Sequence, residues 1–560
     1  MKLKFTILVV LFSVTGLFAQ QTYHVNITNG NDANDGTSWS KAFETIQAAL
    51  DKATSNDAIW IATGTYYPTK KIAETTSDNQ SSSDRTRSFV IPKGVKLYGG
   101  FPSNATDATG MAQRNWDANS TILDGDFDEN DADFDNMDEN AYHVLVLVNA
   151  DESTVIDGFT ITGGNANGNE LVYVNQVAIN SSNGGGIHAV YHESGETGSL
   201  RSSPTLKNII IENNKALVAG AGFFNYTHLG EANPIITNAI IRNNKVMGLD
   251  IAGIIYDGYG AGIYNSGVTK ASPILTNVII AGNDAESWGG GFYCESERNI
   301  CAPILTNVLI SGNNAYNGGA IVCISLEKVA PVFTNATIVG NKAAVKAGGL
   351  YCESIKGSNG LAVPEIQNSV IWGNKAEEGA NILNIGATGS SPIAQYSFIE
   401  GEPANASAGN LNGTLNPEFE SAVDADFAPT TTGNYQLNRN SPLINKGKNE
   451  FITLTSDLNG RERVIDNRVD IGAYEYPEKG GGTSNEMISI ENSKIWAEAG
   501  NLYVKVETPT TIRVYTIDGT PFRQINQASE GTKIISLPTG IYFISLNDNE
   551  TKAKIFVPHQ

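Results

Sequence analysis

Cysteine is scarce in this chain, at four residues in 560. That excludes a small cystine-stapled scaffold, and the lack of any CxxC pair excludes a zinc knuckle. The six histidines form no HExxH motif, and no GxSxG occurs, so metalloprotease and serine-hydrolase signatures are missing. Positive charge is in deficit, with 37 Lys and Arg against 59 Asp and Glu for a net charge of −22. This balance counts against nucleic acid or an anionic membrane as a ligand. Long apolar runs are confined to the start. Lys2 and Lys4, the run Phe5 to Phe18 and then Ala19 read as a secretory signal peptide over residues 1–20. The run is too short to span a bilayer, so an exported chain with no transmembrane segment in its mature form is expected. Helical periodicity is also nearly absent. One stretch, within His24 to Leu50 and just beyond, puts Phe43, Ile46, Leu50 and Ala53 on one face.

What the chain has is repetition. PTLKNIIIENN from Pro204 returns as PIITNAIIRNN from Pro234, PILTNVIIAGN from Pro273, PILTNVLISGN from Pro303, PVFTNATIVGN from Pro331 and PEIQNSVIWGN from Pro364. The prolines are 30, 39, 30, 28 and 33 residues apart, a solenoid period. Short β-branched runs bounded by Gly, Asn and Pro read as strands, so each repeat is one coil of a parallel β-helix. Two asparagine columns follow: Asn208, Asn238, Asn277, Asn307, Asn335 and Asn368, then Asn214, Asn244, Asn283, Asn313, Asn341 and Asn374. Stacked about 4.8 Å apart, such amides can form corner ladders. Leu206, Ile236, Leu275, Leu305, Phe333 and Ile366 make an apolar column, and Ile211, Ile241, Ile280, Ile310, Ile338 and Ile371 make another. No single coil buries enough to stand alone, so stability must come from stacking. The amphipathic stretch fits a cap over the open first coil.

Composition shifts near the end. The solenoid is expected over 21–400 with its C-terminal end over 401–477, followed by a Gly-rich linker at 478–485. Residues 486–560 alternate apolar and polar positions in short runs, as a small antiparallel β-sandwich does. The fold class expected is all-β.

Three candidate sites emerge. In the acidic stretch Leu123 to Asn140, Asp124, Asp126, Asp128, Asn130 and Asp133 offer oxygens at alternating positions, as Ca2+ loops do, though not at EF-hand spacing. A plain solvated loop is the alternative. No cofactor is required, and Ca2+ is the one ion with a case. After each Gly turn, Phe224, Tyr264, Tyr293 and Tyr351 share a column with His188 and Val322. If Ile187, Phe223, Ile263, Phe292, Ile321 and Leu350 face inward, that column is an outer aromatic stripe on which sugar rings could stack. The alternative is that the insertions at 188–203 and 246–259 fold over it. Cys294, Cys323 and Cys352 are each 29 residues apart, in one column, with Cys301 nearby. The short Cys294-to-Cys301 loop favours pairing Cys294–Cys301 with Cys323–Cys352 over Cys294–Cys323 with Cys301–Cys352. Four reduced buried thiols are the third arrangement.

DGTSWSKAFETIQAAL, IWIATGTYYPT, TILDGDFDEND, YHVL and IDGFTITGGNA occur in the order seen in secreted bacterial right-handed parallel β-helix proteins, and their coils resemble the pectate-lyase-like superfamily. NYQLNRNSPLINKG and DLNGRERVIDNRVDIGAYEY resemble the choice-of-anchor segment that ends such proteins. In the last module, IRVYTIDG, LPTGIYFISL and KAKIFV resemble the C-terminal sorting domain of type IX secretion substrates, although the usual Asn-Pro near its start is missing. These resemblances imply a right-handed solenoid, the outer-membrane secretion machinery as a partner, and an extracellular or outer-membrane-surface location. An ordinary carbohydrate-binding or immunoglobulin-like sandwich is the alternative for the last module. Superfamily hydrolases use paired Asp with Gly-His-Gly, and lyases use Ca2+-binding carboxylates with a basic residue. Neither Gly-His-Gly nor Asp-Asp occurs, and Arg242 is alone in its column. The expectation is a structural or adhesive protein contacting polysaccharide or cell-surface glycan, with a polysaccharide lyase or glycoside hydrolase as the rival.

Overall fold

A computed structural model describes residues 20–477 and most of 488–557. Left out of the first range are 73–82, 133, 192–200, 252–253, 257 and 356–359, and of the second 491–492, 499–500, 517–519, 529, 538–539 and 548–551. The expected signal peptide and Gly-rich linker therefore lie outside the described residues, apart from Gln20. The chain divides into two compact units, 1–478 and 479–560.

The first unit is a parallel β-helix. A coil runs from Thr205–Glu212 through Lys215–Ala216, Phe223–Thr227 and Glu231–Ala232 before Ile235–Arg242 begins the next. Each segment pairs in parallel with its counterpart one coil on, and the corresponding strands form four sheets along the solenoid. In-register stacking turns the columns of the sequence into columns in space: Leu206, Ile236, Leu275, Leu305, Phe333 and Ile366 are all fully buried in one core, as is the second isoleucine column. Gly222, just before the strand Phe223–Thr227, is required by close approach. A Cβ on Gly222 would sit 2.6 Å from the Gly262 carbonyl oxygen of the next coil.

Both asparagine columns are present, and they do different things. Asn208, Asn238, Asn277, Asn307, Asn335 and Asn368 all have positive φ, near 48–59°, and bend the long strand in its middle rather than at a corner. The Asn214 column points inward, with each amide nitrogen donating to the amide oxygen one coil on, from Asn214 to Asn374 and then Asn381 and Glu400.

At the N-terminal end the expected helix is short, Ile46–Leu50, with Thr45 Oγ1 accepting from Ala48 N. Phe43 and Ala53 lie outside it yet are buried with Ile46, Ala49 and Leu50 in the solenoid core. At the other end, residues 401–477 form no further coil. They fold back along the long sheet, where Phe419, Tyr435, Leu437, Leu443, Ile471 and Tyr474 bury Leu309, Val339 and Val370. This stretch, expected as the C-terminal end of the solenoid, is a lateral cover, and the outward residues Leu309, Val339 and Trp372 are apolar and need one.

Among its described residues, the second unit has two four-stranded antiparallel sheets. One holds Ile488–Ile490, Ser493–Glu498, Asn501–Val506 and Gly531–Ser536, and the other Thr510–Thr516, Pro521–Ala528, Gly540–Leu546 and Lys552–Val557. Leu502, Val504, Ile512, Val514, Ile535 and Ile544 fill the space between them.

Candidate functional site

The aromatic column forms where alternation puts it. Ile187, Phe223, Ile263, Phe292, Ile321 and Leu350 are in the core, and the next residue of each strand faces away from it. It is not an open platform, however. The rings stack on one another: Phe224 and Tyr264 are 5.1 Å apart at 7°, and Tyr264 and Tyr293 are 5.3 Å apart at 2°. Parallel strands hold identical rings at stacking distance, so each face is taken by its neighbour. Tyr259 lies 5.3 Å from Tyr293 and Trp288 lies 5.1 Å, edge-on, from Tyr351, which completes the cover. Phe224, Tyr293 and Tyr351 are buried. The expected free stacking faces on Phe224, Tyr264 and Tyr293 are therefore corrected to a self-stacked run, and that on Tyr351, beyond Val322 in the column, to a buried ring met by Trp288.

An opening remains at the N-terminal part of this wall. A cleft of about 440 Å³ is bounded by Tyr226, His228, Tyr259, Tyr264 and Glu297, with the hairpin Leu171–Val174 and Val177–Asn180 as its rim. Tyr226 Oη donates to Glu297 Oε1 at 3.4 Å, and burial raises the pKa of that phenol. Next along the outward column, Tyr293 Oη donates to Glu295 Oε2 at 3.2 Å, and burial raises the Glu295 carboxyl. His188, which lines the cleft floor, has its pKa pushed down to about 4 by burial, and His143 behind it to about 3. Both are neutral at pH 7, with Nδ1 facing the carbonyl oxygens of Asn183 and Gly184 respectively. Sequence reasoning missed Tyr226, His228 and Glu297. The signal available was Tyr226 two residues after Phe224, on the same face of the strand.

The acidic loop closes differently from its expected alternation. Asp128 and Asn130 are exposed, and Asp133 lies outside the described residues. Asp126 instead gathers with Asp131 and Glu139, one oxygen of each lying within 4.8 Å of the others. Asp126 accepts from the backbone N–H of Asp128 and Asp131, which doubles the loop back on itself. Asp124 accepts from Asp126 N and lines a neighbouring cleft of about 530 Å³ with Asp126, Asp131, Lys245 and Asp284. Burial pushes the Asp124 carboxyl up to about 6.

The four cysteines are buried free thiols, which replaces the expected Cys294–Cys301 and Cys323–Cys352 bonds. Their column reads Asn225, Asn265, Cys294, Cys323, Cys352, Asn384 in direct register. Asn265 Nδ2 points at Cys294 Sγ at 3.8 Å, so the sulfurs continue an inner polar ladder. Cys301 sits on the adjoining short strand Ile300–Cys301, its thiol 3.3 Å from the Cys294 carbonyl oxygen. Burial drives the Cys301 and Cys352 thiols well above their ordinary range.

Arg242, alone in its column, bonds Glu212 of the preceding coil at 2.6 Å. No known family model matches the chain, and no curated protein matches it. Among solved structures, the pectate lyase Pel9A aligns over 82% of this chain and 98% of its own, at 14% identity and a TM-score of 0.44. A rhamnogalacturonan lyase aligns over 75% and 96%, at 10% identity and 0.33. A GH136 lacto-N-biosidase from Eubacterium ramulus aligns over 68% of this chain and 67% of its own, at 9% and 0.17. No residue role is taken from them: the β-helix rests on the parallel sheets of this chain itself.

Proposed function

We propose that this is an exported, surface-displayed β-helix protein that contacts glycans through the cleft beside Tyr226, in a structural or adhesive role. The observation that carries the reading is the cleft itself: Tyr226, Tyr259 and Tyr264 line it together with Glu297, apolar surface beside hydrogen-bonding groups. The leader at 1–20 and the likeness of 486–560 to a sorting domain support export through the type IX machinery. A carbohydrate-active enzyme is the second reading. Glu295, its carboxyl raised by burial, and Glu353 stand in one outward column with Ile324 between them. Two coil spacings put about 9.6 Å between their strands, near the separation of an inverting pair. Incubation with acidic and neutral polysaccharides, with and without Ca2+, tests both. Retention without release of reducing or unsaturated sugar is the expected result. Release that disappears in Glu295→Gln would replace the adhesive reading with the enzymatic one.

A further inference from the structure

We propose that the C-terminal mouth of the solenoid takes up an extended, basic segment of a partner protein, which adds one more strand beyond Ile382–Ile385. That strand ends the nine-stranded sheet and, among the described residues, pairs on one side only, with Leu350–Ser354. In the coils before it the same backbone N–H reaches forward: Phe223 donates to the carbonyl oxygen of Gly262, Ile263 to Gly291, Phe292 to Ala320, Ile321 to Gly349 and Leu350 to Asn381. Ile382 is next in that column, and no further coil follows to accept from it. A sheet edge with its donors unmade is a template for another strand.

The bore behind this edge is open as well. Six coils fill one inner column with Leu206, Ile236, Leu275, Leu305, Phe333 and Ile366, all fully buried, and the next position, in register with Ile366, is Ala394. This small side chain gives onto a cavity of about 680 Å³, whose lining includes Ile382, Ala394, Ile399, Glu400 and Glu402. An aliphatic side chain on an added strand would continue the column where Ala394 leaves it short. The chain covers its other edge in a similar way: Leu411 N donates to the Ser397 carbonyl oxygen, Ser397 N to Asn410 Oδ1, and Asn410 Nδ2 to the Ala394 carbonyl oxygen. The end of the long sheet is thus occupied, and that of the nine-stranded sheet is not.

The rim sets the charge of the occupant. Glu400 Oε2 accepts from Gly373 N at 2.8 Å and from Asn381 Nδ2 at 3.0 Å, so the inner asparagine ladder ends on a fixed carboxylate. Glu402 is exposed beside it, and neither Lys nor Arg lines the cavity. Lys375, one coil back, is taken by Asp424 and Asp426. An acidic segment, or the same mouth of a second copy, would meet like charge here, whereas a basic segment meets its counter-charge.

Titration calorimetry of the full-length protein with a short, end-capped peptide alternating valine and lysine tests the site. One saturable site is expected. The same peptide N-methylated along its backbone, alike in charge but unable to pair as a strand, should bind at least tenfold more weakly, and so should a valine–glutamate counterpart. Ala394→Leu, which repeats the residue at Leu305 in the column, should weaken binding at least tenfold while melting no lower than the wild type. If that variant melts lower, Glu400→Gln, also expected to bind more weakly, and the N-methylated peptide still decide. Absence of saturable binding, equal binding of the N-methylated peptide, or wild-type affinity in a folded Ala394→Leu overturns the proposal. So does equal binding of the glutamate peptide, or a wild-type dimer that is lost in Ala394→Leu, which would make a second copy the occupant.

Discussion

Asn307 stands where two hydrogen-bond systems meet. Along the outer column Asn208 donates to Asp157, Asn238 to Asn208, Asn277 to Asn238 and Asn307 to Asn277, so every amide points the same way. A ladder of aligned dipoles needs an acceptor at one end and a donor at the other. Asp157, paired with Arg114 at 2.6 Å, is the acceptor, and Arg463, donating to Asn307 Oδ1 at 2.9 Å, is the donor. Replacing Asn307 with Leu removes both bonds and forces a branched side chain into φ 59°. The expected loss is at least about 2 kcal/mol, read from urea midpoints, since buried partners are left unmade. Asn416→Leu, which touches only the exposed Glu418 N–H, should stay within about 0.5 kcal/mol. Equal shifts for the two would remove the ladder from the account. The buried histidines give a pH signature. Their folded pKa values, about 3 and about 4, lie below the unfolded value near 6.5, so their stabilisation is complete above pH 6.5 and is lost as pH falls toward 4. Wild-type stability should therefore drop over that window relative to His188→Phe, a ring the column already carries at Phe224. Parallel pH profiles would show that His188 is not held neutral by burial.

At the scale of the element, the cysteine stack is three strands taking part in one inner ladder. Neighbouring positions on parallel strands are set by the coil spacing, about 4.8 Å, which lies inside the Cα range of a disulfide, so it is the free state of the buried thiols and not the spacing that sets the expectation. Ellman titration without reductant should find no reactive thiol in the native protein and four after denaturation; two or none after denaturation would restore a bonded arrangement. The columns were legible beforehand because a β-helix converts linear period directly into register. Leu206 to Ile366 and Asn214 to Asn374 needed only alignment. Ring orientation was not legible: alternation tells which side Tyr264 faces, not that its face meets Tyr293. Nor was the closure of the acidic loop, because Glu139 reaches Asp126 only through a turn built on distant partners such as Gly163. The place of 401–477 was hidden for a similar reason, since its apolar residues are irregularly spaced and become readable only against Leu309 and Val339.

For the whole molecule, the lateral cover acts as a clamp. Arg463 is buried with Glu475 at 2.9 Å and also donates to the Gly472 carbonyl oxygen, tying the chain end before residue 478 to the Asn307 coil. The solenoid is thus finished without the last module, whose core is separate. Removing 486–560 should leave a folded β-helix that stays in the periplasm, with surface labelling lost. Labelling equal to the full chain would refute the sorting role. The central claim is that the cleft beside Tyr226, and not the self-stacked column, meets glycan. The most direct measurement is a glycan-array profile of the full-length protein beside Tyr226→Ala, Glu297→Gln and Tyr351→Ala. The account predicts a defined set of bound glycans, lost in the first two variants and unchanged in the third. An array on which the wild type binds nothing, or on which Tyr226→Ala and Glu297→Gln bind as the wild type does, would contradict it.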